Sequence, residues 1–165
     1  MAYSCVPSLF SPPVIPGIQV LNLYANPIVA YPIPQNPVPG FGVFPAGNID
    51  FCNVTVTYTH PGQNDTLNVE VWLPPKNKWN SRILAVGGGG LAAGRNGESY
   101  APMAGVVDRK YASFTTDGGL ANPNSPADWV LKRPGVLNKI NLENWGTRSL
   151  DEMVSVTTPM HRGLF

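Results

Sequence analysis

Four consecutive glycines, Gly87 to Gly90, follow the apolar run Ile83-Leu84-Ala85-Val86. Residues without a Cβ let a chain turn sharply and offer successive backbone N–H groups to an incoming anion. Three uses of such a loop are distinguishable. A dinucleotide-binding turn needs G-x-G-x-x-G leading directly into a helix and an acidic residue about twenty positions on. Here Leu91-Ala92-Ala93-Gly94-Arg95-Asn96-Gly97 stays glycine-rich and loop-like, which argues against that use. An oxyanion loop, which gives one N–H to the tetrahedral intermediate of acyl transfer, suits glycines placed at the end of a buried strand. The third use is a tight turn with no chemistry.

Acyl transfer also needs a nucleophile and a base, and the sequence is poor in candidates. His60 precedes Pro61 in a predicted turn and His161 lies near the end, so each reads as a satisfied or solvated histidine. Asp117 ends a strand-like run, where catalytic acids can sit, but no serine in a plausible elbow is present to use it. No catalytic residue is therefore assigned within this chain. Cys5 and Cys52 are too far apart for a C-x-x-C redox or zinc pair, and no Cys/His cluster accompanies them, so no metal site is assigned. They are either two buried thiols or a disulfide tying the amino-terminal arm to the first strand of the body. Asn53-Val54-Thr55 and Asn64-Asp65-Thr66 are glycosylation sequons if the chain enters the secretory route.

These residues must be held by a body rich in strands. The first 48 residues contain ten prolines, which exclude helix; Ile18 to Tyr24 is apolar enough for one strand and the rest reads as an extended, surface-wrapping arm. From Cys52, Val54, Val56 and Tyr58 alternate with threonines, and after the turn His60 to Asp65, Leu67, Val69, Val71 and Leu73 alternate with polar partners. A period of two puts each apolar set on one face, and the two runs pair as an antiparallel hairpin. Ile83 to Val86 and Tyr111 to Thr115 read as strands, the first covered on both faces. A short helix around Tyr100 to Arg109 between them makes a strand, crossover and parallel strand. Leu142 to Val156 is the best helix candidate, with Trp145, Leu150, Met153 and Val154 near helical spacing and Thr158-Pro159 as its stop. The expected organisation is an arm over 1–50, a core over 51–156 and a tail over 157–165.

Composition narrows the function classes. At 165 residues the chain fits one domain. Charged residues are 13% of it, about half the usual share. Net charge is +1 with no block of like charges, so no basic stripe favours nucleic acid. No apolar run reaches the roughly 18 residues of a membrane span, and residues 1–13 show no basic region followed by an apolar one, so no secretion signal is visible.

The string Phe51-Cys52-Asn53-Val54-Thr55-Val56-Thr57-Tyr58-Thr59-His60-Pro61-Gly62 is followed by Val71-Trp72-Leu73-Pro74, Trp79-Asn80, Val86-Gly87-Gly88-Gly89-Gly90, Thr116-Asp117-Gly118-Gly119 and Arg148-Ser149-Leu150. In order and spacing these resemble the fungal tannase/feruloyl esterase family over residues 5–154. The resemblance implies an α/β fold, specifically the amino-terminal portion of an α/β-hydrolase, with an antiparallel hairpin leading into a parallel sheet that is left incomplete. It implies a secreted carboxylic ester hydrolase whose partner is a small aromatic ester, cleaved by a serine with an aspartate and a histidine. One of Gly87 to Gly90 would supply an oxyanion N–H, and Cys5 with Cys52 would match a structural disulfide.

The family's serine sits in a Cys-Ser-x-Gly-Gly elbow that does not occur here, and its calcium site belongs to a lid that this chain lacks, so no cofactor is expected. Relatives carry an aromatic residue where Leu91 stands and a histidine where Leu120 and Asp151 stand. The expectation is an inactive, aggregation-prone fragment. The rival is a secreted non-catalytic module that binds phenolic or sugar ligands through Trp72, Trp79, Tyr100 and Trp145.

Overall fold

The computed structural model describes residues 4–38, 40–120 and 125–163, the side chains of 161–163 excepted. His161 and the last two residues of the expected tail thus lie outside the described side chains, and Pro39 of the arm outside the described residues. Seven strands and four α-helices occur among the described residues: β1 (Gln19–Pro32), β2 (Asn48–Thr59), β3 (Leu67–Leu73), β4 (Ile83–Ala85), α1 (Gly97–Asp108), β5 (Ala112–Thr116), α2 (Pro126–Val130), β6 (Leu131–Arg133), β7 (Val136–Leu137), α3 (Lys139–Glu143) and α4 (Ser149–Gly163). A π-helical turn over Asn144–Arg148 joins α3 to α4.

The alternating segments form the expected hairpin, with Cys52 opposite Leu73, Val54 opposite Val71 and Tyr58 opposite Leu67. β1 is twice as long as the apolar run suggests. It accommodates Pro27 and Pro32 because it is an edge strand paired only to β2, so a missing N–H on its outer side costs no ladder bond. The main sheet has the order β1-β2-β3-β5-β4. Only β4 and β5 are parallel; β5 runs antiparallel to β3. The sheet is therefore mixed where a hairpin feeding a parallel sheet was expected.

The strand covered on both faces is not the one the sequence suggests. β5 is buried at all five positions. β4 lies at the sheet edge, where Ile83 is 38% exposed and only the following Val86 is buried. A short apolar run does not encode which of two parallel neighbours is central; that depends on which one the next partner flanks.

Each sheet face has its own core. Val54, Val56, Leu67, Val69, Val71 and Phe114 pack with Met153, Val156 and Met160 of α4, together with Phe10 from the arm. On the opposite face Phe51 and Trp72 pack with Met103, Ala104 and Val107 of α1 and with Ile33 and Phe44 of the arm. Trp72 is stacked on Phe51 with ring centroids 4.2 Å apart. α1 contains Gly105 where the Phe44 ring meets the helix, and a Cβ there would collide with that ring.

The last helix differs from its expected outline. Met153, Val156 and Met160, at i, i+3 and i+7, are buried, whereas Leu150 and Val154 are about half exposed. Thr158-Pro159 does not stop α4, which runs on to Gly163 with Pro159 inside it. Burial of Met160 just beyond the proline favours continuation, and the hydroxyls of Thr157 and Thr158 donate to the Met153 and Val154 carbonyls one turn back.

His60, at the hairpin turn, locks the sheet to α4. Its Nδ1 lies 2.7 Å from Asp65 Oδ2 and its Nε2 2.7 Å from Glu152 Oε1. Tyr58 donates its hydroxyl to the other oxygen of Glu152, and Asn144 donates to Asp65. Burial alone would lower the His60 pKa, but the hydrogen bonds its ring makes to both carboxylates outweigh it and raise the value above the ordinary 6.5. Burial likewise works to raise the Asp65 pKa, and the His60 and Asn144 donors outweigh it, leaving the value below 3.8.

The signs give a window. The His60 contribution is complete below pH 6.5 and fades as pH rises through the raised folded value, while the Asp65 contribution is present above 3.8 and fades as pH falls through the lowered one. Melting temperature is expected to fall from mildly acidic to alkaline pH in the wild type and to lose much of that slope in His60→Gln. Equal slopes in the two proteins would rule the clamp out.

Candidate functional site: a glycine loop facing a cleft

β4 ends where the Val86 N–H donates to the Phe114 carbonyl, and the chain then turns through Gly87 to Gly90. Gly90 has φ +58°, a left-handed conformation that glycine adopts without strain. At Gly88 a Cβ would run into the Ala92 carbonyl, so the close approach itself requires glycine. The loop is closed from within by Gly88 N–H to the Ala93 carbonyl at 2.6 Å and Ala92 N–H to the Gly89 carbonyl at 3.0 Å. Gly88 is thus spent on its own loop. The N–H groups of Gly87, Gly89 and Gly90 donate to no other described residue.

The loop borders a cleft of about 540 Å³, within the range of small-molecule sites. Pro37, Val38 and Phe41 of the arm form one wall, the first turns of α1 with Glu98 and Pro102 another, and Gly87 to Gly89 the floor. The cleft therefore exists only because the proline-rich arm folds back over the end of β4.

Behind the loop lies a polar hub that sequence reading missed. Glu70 of β3 is 4% exposed. Its Oε1 accepts from Asn53 Nδ2 at 3.0 Å and Trp72 Nε1 at 2.8 Å, and its Oε2 from Arg95 Nε at 3.0 Å and the Tyr100 hydroxyl at 3.1 Å. Burial together with the Glu70 charge pushes the Tyr100 hydroxyl up to about 12, so it stays a donor. Arg95 also reaches Asp117 Oδ2 at 3.2 Å and sits at φ +53°, a costly conformation for a side chain with a Cβ. Those two ion pairs hold the loop's exit in place. A signal was available in the strand pattern, since Glu70 occupies the same face of β3 as the buried Trp72.

Asp117 is fully engaged, accepting from the backbone and side chain of Asn68 and from Gly119 N–H. It is a structural carboxylate that pins the β5 turn. Cys5 and Cys52 are disulfide-bonded, with Cα atoms 5.5 Å apart, and neither lines the cleft. Asn53 faces the hub, whereas Asn64 is exposed in the hairpin turn at φ +55°.

Of the four aromatics of the rival reading only Trp72 and Tyr100 meet, stacked with ring centroids 5.5 Å apart, and Trp72 is buried in the core. Trp79 donates to the Arg82 carbonyl, and Trp145 donates to the Leu91 carbonyl while packing on Trp129. Among the described residues no three His, Cys, Asp or Glu side chains group to hold a metal ion, and no helix is long and apolar enough to cross a membrane.

A mixed sheet with helices packed on both faces, and a glycine loop at the end of a strand in its one parallel pair, defines an α/β fold. No family model matches the chain. It is 38% identical over 148 residues to a probable feruloyl esterase of Arthroderma benhamiae, a match taking in 88% of this chain and 26% of that protein. It is 28% identical over 119 residues to a tannase of Aspergillus oryzae, covering 70% of this chain and 19% of that protein. Tannin acyl hydrolase from Aspergillus niger superposes with a TM-score of 0.81 at 26% identity, over 97% of this chain and 29% of that one. The chain belongs to the fungal tannase/feruloyl esterase family and spans about a quarter of the length of the relatives it matches.

Proposed function

We propose that these residues are part of a secreted serine carboxylic ester hydrolase acting on aromatic acyl esters, in which the loop Gly87 to Gly90 supplies an oxyanion donor. The observation that carries this reading is the pair of unspent N–H groups of Gly87 and Gly89, residues that line a cleft of ligand size. A preorganised N–H aimed at a developing oxyanion is worth a factor of about 10²–10³ in rate. The names of the relatives, feruloyl esterase and tannase, supply the substrate class. Phe41, Val38 and Pro102 provide an apolar wall for an aromatic acyl ring.

The chain's own part is to bind and polarise the ester carbonyl. The nucleophile and its base are not among its 165 residues, in which no Gly-x-Ser-x-Gly-like elbow occurs and the described acid Asp117 is committed to Asn68 and Arg95. Alone it should bind ester without turning it over. Titrating pure protein with methyl ferulate tests both statements. Binding without hydrolysis is expected, weakened severalfold or more by Phe41→Asp at unchanged melting temperature. Hydrolysis blocked by a serine inhibitor would refute the catalytic half, and binding indifferent to Phe41→Asp would remove the cleft from the reading.

A further inference from the structure

Residues 126–143 stand apart from the main sheet as α2, the small β6-β7 sheet and α3, and Trp129 is the one large apolar side chain they bury. Between this excursion and the β2–β3 turn lies a second pocket of about 440 Å³ that touches neither the glycine loop nor the arm. Asn64 lines it from the turn; Leu131, Lys132, Asn138, Ile140 and Asn141 line it from the excursion. Asn138 uses its Oδ1 to accept from Asn141 N–H, and Asn141 uses its Nδ2 to donate to the Trp129 carbonyl. The Asn138 Nδ2, the Asn141 Oδ1 and the Lys132 ammonium are bonded to no described residue. Donors and an acceptor beside two aliphatic side chains suit a ligand with hydroxyls, an amide and an apolar ring face, which is the chemistry of an N-acetylated hexose.

The two sequons differ sharply in their surroundings. Asn64 is exposed and its side chain bonds to no described residue. Asn53 lies in β2 between β1 and β3, and its Nδ2, the atom that would carry the sugar, donates to Glu70. Its Oδ1 is buried without a partner. A sugar there would replace a hydrogen on the nitrogen that donates to a buried carboxylate and wedge a bulky polar group against Trp72 and Tyr100. N-glycans are attached before folding finishes, so a chain modified at Asn53 could not close this face.

We propose that Asn64 carries an N-linked glycan, that Asn53 does not, and that the first N-acetylglucosamine sits in the pocket against Lys132, Asn138 and Asn141. The glycan then bridges the hairpin turn to the excursion. This rests on the secretory part of the reading above, and supplying a leader in the test separates it from both the ester chemistry and the native destination.

The full chain, secreted from a eukaryotic host behind an added leader, is mapped for glycopeptides alongside Asn53→Gln and Thr66→Ala. Thr66→Ala destroys the second sequon while keeping Asn64 at its left-handed position. One glycan at Asn64 is expected in the wild type and in Asn53→Gln, and none in Thr66→Ala. After trimming to a single sugar, amide exchange over residues 131–141 is expected to be severalfold slower than in Thr66→Ala. A glycan on Asn53 of folded material, an unmodified Asn64, or equal exchange with and without the sugar would overturn the proposal.

Discussion

Replacing Glu70 with alanine is expected to destabilise the fold by about 3–5 kcal/mol, the cost of breaking a buried charge network by removing one partner. The side chain is 5% exposed and accepts four hydrogen bonds. Its loss strands Trp72 Nε1 and Asn53 Nδ2 inside the core and leaves Arg95 with only the more exposed Asp117. Each orphaned donor adds its own desolvation penalty, about 1–3 kcal/mol. Glu70→Gln keeps an acceptor for two of the four donors and should fall between wild type and alanine in urea unfolding.

The consequence reaches the cleft, because Arg95, left-handed at the exit of the glycine loop, is anchored there by its ion pairs to Glu70 and Asp117. Glu70→Ala is therefore also expected to weaken ester binding, and Arg95→Ala added to it should cost less than Arg95→Ala alone. Full additivity of the two substitutions would show that Glu70 and Arg95 act independently.

Reducing the Cys5–Cys52 disulfide should cost about 4 kcal/mol by loop-closure entropy, given the 47-residue separation it closes. Single domains have only about 5–15 kcal/mol in total, so this bond holds a large share of the stability. It fastens the start of the arm, including buried Phe10, to the middle of β2. Cys52→Ser should be worse than Cys5→Ser with Cys52 left as a thiol. Cys52 is fully buried at 0% exposure, and a hydroxyl placed there needs a hydrogen-bond partner that the apolar surroundings do not offer. Thermal melts with and without reductant measure the first effect, and the two variants compared under oxidising conditions measure the second. A melting temperature unmoved by reductant would show that the arm is held by packing alone.

Several features could be read directly from residue order. Alternation through Val54, Val56 and Tyr58, and again through Leu67 to Leu73, is a local periodicity that fixes which side chains share a face, and the hairpin register follows from it. The glycine run marked a loop at a strand end because absence of Cβ is a property of the residue itself. The α1 crossover and a helix near the end were visible for the same kind of reason. The far limit of α4 was not, since Pro159 is a local stop signal that burial of Met160 overrides.

What residue order alone determined, then, was everything set by short-range pattern: strands, hairpin, glycine loop, and the stretch of motifs by which the chain is recognised as a family member. Tertiary structure alone decided that β4 is an edge and β5 central, that Arg95 is the partner Glu70 meets, and that the arm closes the cleft over the loop. Those outcomes depend on partners 25 residues or more away in the chain. The free energy of burying a charge or covering a loop belongs to the pair that meets, and neither member carries it alone.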